Sequence, residues 1–185
     1  MSLDLLLFVL ILAFNVFISL WNSYNAGQLR PYNRGLSYLF FALGGFLPMS
    51  YVVASVLTLV LAYLGYLSYS TLVFLANFEF LFFGLAIVIW GVIATVTTAI
   101  AFARTRDWKA GLVTAWNAFA TIFNIYTYAS NALSAWRRIR GSAGSADWLD
   151  IIAVIGISLA IGFLVSYGAY RLGARNSRVV AYSYR

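Results

Sequence analysis

Apolar residues in this chain come in long unbroken stretches, not in the alternation of a half-buried strand or the one-sided stripe of a soluble helix. The stretches cover about residues 3–24, 36–67, 71–103, 108–136 and 148–170. Each is long enough for a bilayer crossing, which takes ~20 apolar residues. Lipid offers the backbone no hydrogen-bond partner, so only helices or a closed barrel can span it, and barrel strands would alternate over ~10 residues. The pattern predicts an all-α polytopic integral membrane protein, a single helical domain with about five transmembrane helices and room for about four to six.

The first stretch, LDLLLFVLILAFNVFISLWNSY, lacks the basic start and small-residue cleavage site of a signal peptide, its one early charge being Asp4, and reads as a retained helix. Asn25 to Arg34 (NAGQLRPYNR), with Gly27, Pro31 and two arginines, reads as the first loop. From Gly35 to Ala103 the only charge is Glu79, and the best break is YLSYS at Tyr66–Ser70. The segments on either side, Gly35–Leu67 and Thr71–Ala103, hold 33 residues each. A straight helix of that length measures ~50 Å against a hydrocarbon core of ~30 Å. The second span is therefore expected to be broken or kinked near Gly44-Gly45 and Pro48, where the proline removes a backbone donor. The third starts either at Thr71 or as late as Phe80. Asp107-Trp108 and Asp147-Trp148 each look like a helix cap followed by an interfacial anchor, RRIRGSAGSADW reads as a loop, and residues 171–185 as a basic tail.

Charge sets the orientation. With five spans and the N-terminus outside, Arg30, Arg34, Arg104, Arg106, Lys109, Arg171, Arg175, Arg178 and Arg185 fall on the cytoplasmic side and Arg137, Arg138 and Arg140 outside. Splitting residues 35–103 into three spans puts five cations inside and seven out, against the positive-inside rule. The three outer arginines remain unexplained by orientation.

Composition narrows the chemistry. Only 9% of residues are charged, against roughly a quarter in soluble domains. The chain has no cysteine and no histidine, so disulfides, thiolates and His- or Cys-ligated metals are excluded, and no cofactor is expected. It has no phosphate-cradling glycine loop, no HExxH and no paired buried carboxylates, so an enzyme is not expected. Net charge is +7, but the cations flank spans in small clusters that lipid and topology explain without nucleic acid. Trp21, Trp108, Trp136 and Trp148 lie near span ends, as an aromatic belt would place them.

Asparagine inside the apolar stretches is the most informative feature. Asn15 and Asn22 in the first helix and Asn117, Asn124 and Asn131 in the fourth recur at intervals of seven, with Thr121 between them. Such spacing keeps residues on nearly one helix face, drifting only ~20° per heptad. Phe14-Asn15-Val16-Phe17 also resembles Phe123-Asn124-Ile125-Tyr126, at an offset of 109 residues. The match covers a handful of positions, and it is an inverted repeat if the two helices enter from opposite sides, as the five-span orientation has them. Two readings stay open: a hydrogen-bonded zipper joining helices one and four, or a hydrated path or polar cavity lined by Asn15, Asn22, Asn117, Thr121, Asn124 and Asn131. Glu79, beside Asn77, is an ion or proton site if its helix starts at Thr71, and an interfacial group if it starts at Phe80. Ser158, Gly162 and Ser166 mark a close-packing face, as do Gly84, Gly91 and Thr95. The leading expectation is a non-enzymatic membrane protein forming an Asn-lined conduit or binding cavity, channel- or transporter-like and oligomeric. The alternative is a structural or accessory subunit of a larger membrane complex. Its partners are the lipid bilayer and copies of itself or other membrane subunits.

Overall fold

The computed structural model describes residues 3–180, with the side chains of residues 9–177. The side chains of Asp4 and Arg178, and the end of the basic tail including Arg185, lie outside the described residues. The chain is all-helical over this range. Helix α1 is Leu3–Leu29, α2 Arg34–Phe40, α3 Leu47–Tyr63, α4 Tyr69–Thr105, α5 Trp108–Ser142 and α6 Trp148–Val180. A single π-helical turn, Phe41–Phe46, joins α2 to α3 in one rod at the position predicted for the break.

Local signals set the helix ends. Asn33 accepts from the Leu36 N–H at 2.9 Å, Ser68 from Thr71 N at 3.2 Å, and Asp107 from Lys109 N at 3.0 Å. Asp147 caps α6 through Leu149 N at 2.9 Å. These side chains satisfy donors that a helix start leaves orphaned. Gly65 (φ 77°) sits in the left-handed region in the α3–α4 turn, where a side chain would be strained.

The helices outrun the predicted boundaries. α1 continues through Asn25 and Gly27, α5 absorbs RRIRGS, and α6 continues through the expected tail to Val180. α4 starts at Tyr69, so a late start at Phe80 is ruled out. Four rods are long and apolar enough to cross a membrane: Val9–Leu29, Arg34–Tyr63, Tyr69–Thr105 and Trp148–Ser177. α5, counted as a span at 108–136, does not meet that measure, because its asparagines, threonines and arginines dilute its apolar content.

α4 and α5 form a long antiparallel pair, with Gly84 against Tyr128 and Gly91 against Thr121. α1 and α6 run parallel, and the π turn and α3 pack between them and α4. The arrangement is inside out relative to a soluble protein. Buried positions are rich in serine and threonine (Ser19, Ser23, Ser50, Ser158, Ser166), while Phe14, Phe17, Ile122, Phe123 and Leu164 are exposed. Small side chains allow helix axes to approach where no hydrophobic force separates inside from outside. An apolar cluster of Phe74, Leu75, Ile139, Ile151 and Val154 closes one end of the bundle.

The tightest seam is between α1 and α6. A methyl group on Gly27 would meet the Ala174 nitrogen at 2.8 Å and the Tyr170 carbonyl oxygen closer still. One on Gly173 would meet the Tyr24 carbonyl carbon at 2.8 Å. Ser37 Oγ then donates to the Ala26 carbonyl (2.7 Å) and meets the Tyr170 hydroxyl (3.1 Å). Since the obstacle is backbone, Gly173→Ala is expected to cost ~1–3 kcal/mol. Gly168 of the same helix has open space around it, and Gly168→Ala is expected to be neutral or to stabilise by up to ~1 kcal/mol. Thermal unfolding in detergent compares the two; equal melting temperatures would refute the seam.

Candidate functional site

A cleft of about 460 Å³ opens between α1 and the α4–α5 pair. Phe14 and Asn15 of α1 form one wall, and Trp116, Phe119, Phe123 and Asn124 of α5 the other. Phe80, Gly84 and Val88 of α4 and Tyr51 of α3 line it between them. The two Phe-Asn pairs of the sequence repeat thus face one space from opposite sides, on helices that run antiparallel. Asn15 donates to its own helix at Ile11 O (2.8 Å). Most of the lining is aromatic or aliphatic, so the cleft suits an apolar body carrying a hydrogen-bonding group.

The other amides do not share this space. Asn22 donates to the Gly44 carbonyl in the π turn at 3.0 Å. Pro48 has no N–H to offer the carbonyls that precede it, so Asn22 supplies a donor where the helix lacks one. Asn117 turns toward α4 and reaches Thr98 Oγ1 at 3.4 Å; Thr121 is buried there, with its hydroxyl 3.0 Å from that of Thr95. Asn131 is exposed and donates to Thr127 O of its own helix at 2.9 Å. A zipper between helices one and four is therefore overturned: α1 packs on α6 and α5 on α4, with the cleft between α1 and α5. The seven-residue spacing keeps the three amides within ~40° of one another on α5, so what separates them is the neighbour packed at each level of the helix.

Glu79 is the group whose surroundings the sequence left most open. It is 3% exposed, faces α3, and accepts from Thr58 Oγ1 at 2.6 Å and Ser55 Oγ at 3.3 Å. It lies ten residues into α4, ~15 Å along the axis, and not at the helix start. Tyr51, one turn before Ser55 on α3, lines the cleft. One face of α3 thus carries a tyrosine that lines the cleft and two hydroxyls that bond the buried carboxylate. Tyr51, Ser55 and Thr58 were missed as site residues, although steps of four and three put them on one helix face. Hydroxyls in such helices usually bond their own backbone, as Ser50 does to Phe46 O (2.9 Å), and so give little sequence signal. Asn77 does not join Glu79: two residues is a ~200° turn of helix, and Asn77 borders a different groove.

The small residues of α6 sit at backbone approaches. Ser158 is buried and bonds Val154 O at 2.6 Å, and a methyl on Gly162 would meet Ser50 Cα at 2.8 Å. Ser166 is buried and its hydroxyl lacks a hydrogen-bond partner. Among the described residues no three His, Cys, Asp or Glu side chains converge as a metal site. Compared with protein-family models, curated proteins and solved structures, the chain matches none.

Removing the Asn22 amide leaves the Gly44 carbonyl without its donor in a water-poor interior. Asn22→Leu is expected to destabilise by ~1–3 kcal/mol. Asn131→Leu, at an exposed amide whose bond within the chain is to its own helix, is expected to stay within ~0.5 kcal/mol of the parent for the monomer in detergent. Detergent melting curves of both variants check this; equal losses would remove the brace from the description.

Proposed function

We propose that the chain is an integral membrane binding protein of carrier type, taking an amphiphilic solute into the cleft between α1 and the α4–α5 pair. The observation that supports this most is the pairing of one amide on each wall, Asn15 and Asn124, with a carboxylate enclosed behind Tyr51. The amides hold the polar group of the solute and the aromatic walls its apolar body. Glu79 is the cation-exchanging group, because an acid with hydroxyl partners and no neighbouring base inside lipid-facing helices is costly unless it has a use. A conduit lined by every asparagine is not supported, since Asn22, Asn117 and Asn131 point elsewhere.

Five crossings follow in this reading. α5 pairs with α4 along its length, so a bilayer that contains α4 contains α5. Arg30, Arg34, Arg104, Arg106, Lys109, Arg171 and Arg175 then share the cytoplasmic end, with the N-terminus outside. Asn131, exposed near Ser130 and Ser134 on α5, favours a neighbouring subunit as cover. This is the observation that supports an oligomer or a place within a larger membrane complex.

The native chain has no cysteine, so single cysteines report sidedness cleanly. With a membrane-impermeant maleimide on intact cells, Ser145→Cys is expected to label and Thr105→Cys only after permeabilisation; the reverse pattern inverts the orientation. Trp116 in the cleft wall serves as a donor for energy transfer to a dansyl-headed fatty amide. Asn15→Leu with Asn124→Leu removes two hydrogen bonds of about 1 kcal/mol each, and is expected to weaken that probe ~30-fold. Unchanged affinity in the double variant would end the cleft proposal. Glu79→Gln is expected to retain binding while abolishing the cation exchange that accompanies it, read with a pH dye in weak buffer.

A further inference from the structure

A second groove, of about 680 Å³, lies at the end of the α4–α5 pair opposite Arg104, Arg106 and Lys109. It runs between the start of α4 and the end of α5. Ser70, Ala76 and Asn77 of α4 line it on one side, and Arg138, Gly141 and Ser145 at the end of α5 and just beyond it on the other. The Ser145 hydroxyl donates to Ser70 Oγ at 3.0 Å. Asn77 donates once, to Val73 O of its own helix at 2.7 Å, and the rest of its amide borders the groove.

We propose that this groove binds the phosphodiester headgroup of a phospholipid, with an acyl chain lying down the α4–α5 seam past Ala76. Five observations converge on that occupant. A guanidinium is the side chain best matched to two phosphate oxygens, and Arg138 is exposed and lines the groove together with Ser70 and Ser145. The carboxylates at this end, Asp147 and Asp150, do not line the groove, and Asp147 is engaged in capping α6. Asn77 is an amide on the outer side of the bundle at membrane depth, where it needs a polar partner from outside the chain. Trp148 packs edge-on against Phe74 at 5.1 Å, one turn from Asn77, and puts the headgroup level at the groove. Arg137, Arg138 and Arg140 sit on the side where the positive-inside rule disfavours cations; a bound phosphate gives Arg138 a reason to be there.

The test uses the full chain, delipidated in detergent. Phosphatidylglycerol is compared with diacylglycerol of the same acyl chains, which lacks the phosphate, and with glycerol phosphate, which lacks the tails. At about ten times its Kd, phosphatidylglycerol is expected to raise the melting temperature by ~3–5 °C, with less than about half that shift from either fragment. The increment is expected to vanish in Arg138→Gln and persist in Arg106→Gln, the same charge change at the other end. Gly141→Leu, where the added side chain has open space to fill, is expected to abolish it without changing any charge. A full increment in Arg138→Gln or Gly141→Leu would overturn the proposal. So would a full shift from diacylglycerol, which would show an apolar seam alone, or from glycerol phosphate, which would show a soluble-anion site.

Discussion

Lipid gives a chain neither hydrogen bonds for its backbone nor a reason to hide its apolar side chains. The bundle is arranged around that double deficit. Helices approach where glycine and serine remove bulk, as at Gly27 and Gly173 or Ser50 and Gly162, and the attraction between them is contact at close range. Polar groups that the backbone leaves short are met from neighbouring helices. The clearest case is the proline in the second rod, whose missing donor is made up by an amide from α1.

Helix type and approximate position were legible in the sequence because runs of apolar residues have no competing reading. Boundaries were not. Gly27 reads as a loop residue in isolation, yet it is helical because α6 needs a bare backbone beside it. The stretch after Trp136 is rich in small residues and arginines, which suggests a loop, but Ala135, Ile139 and Ser142 form a buried stripe that keeps it helical. The polar character of α5 is visible as three asparagines, and among the described residues it leaves α5 less apolar than the four rods that meet the measure of a span.

The candidate site was half legible. Phe14-Asn15 and Phe123-Asn124 were visible as a repeat, and they border one cleft. Spacing alone could not say that Asn22 and Asn117 turn to other neighbours, because helix rotation and partner choice are decided by packing. The position of Glu79 depended on one uncertain helix start, and a serine cap at Ser68 settles it. Its partners on α3 carried no distinct signal among the many hydroxyls of the chain.

Asn15 and Asn22 stand on the same rod, about 10 Å apart along its axis. One borders the cleft and the other grips the weak turn of the second rod. α1 therefore serves two places at once: the same rod supplies one wall of the cleft and, two turns further on, the donor that holds the Gly44 carbonyl. A substitution that repositions α1 thus reaches the aromatic wall and the α2–α3 joint together.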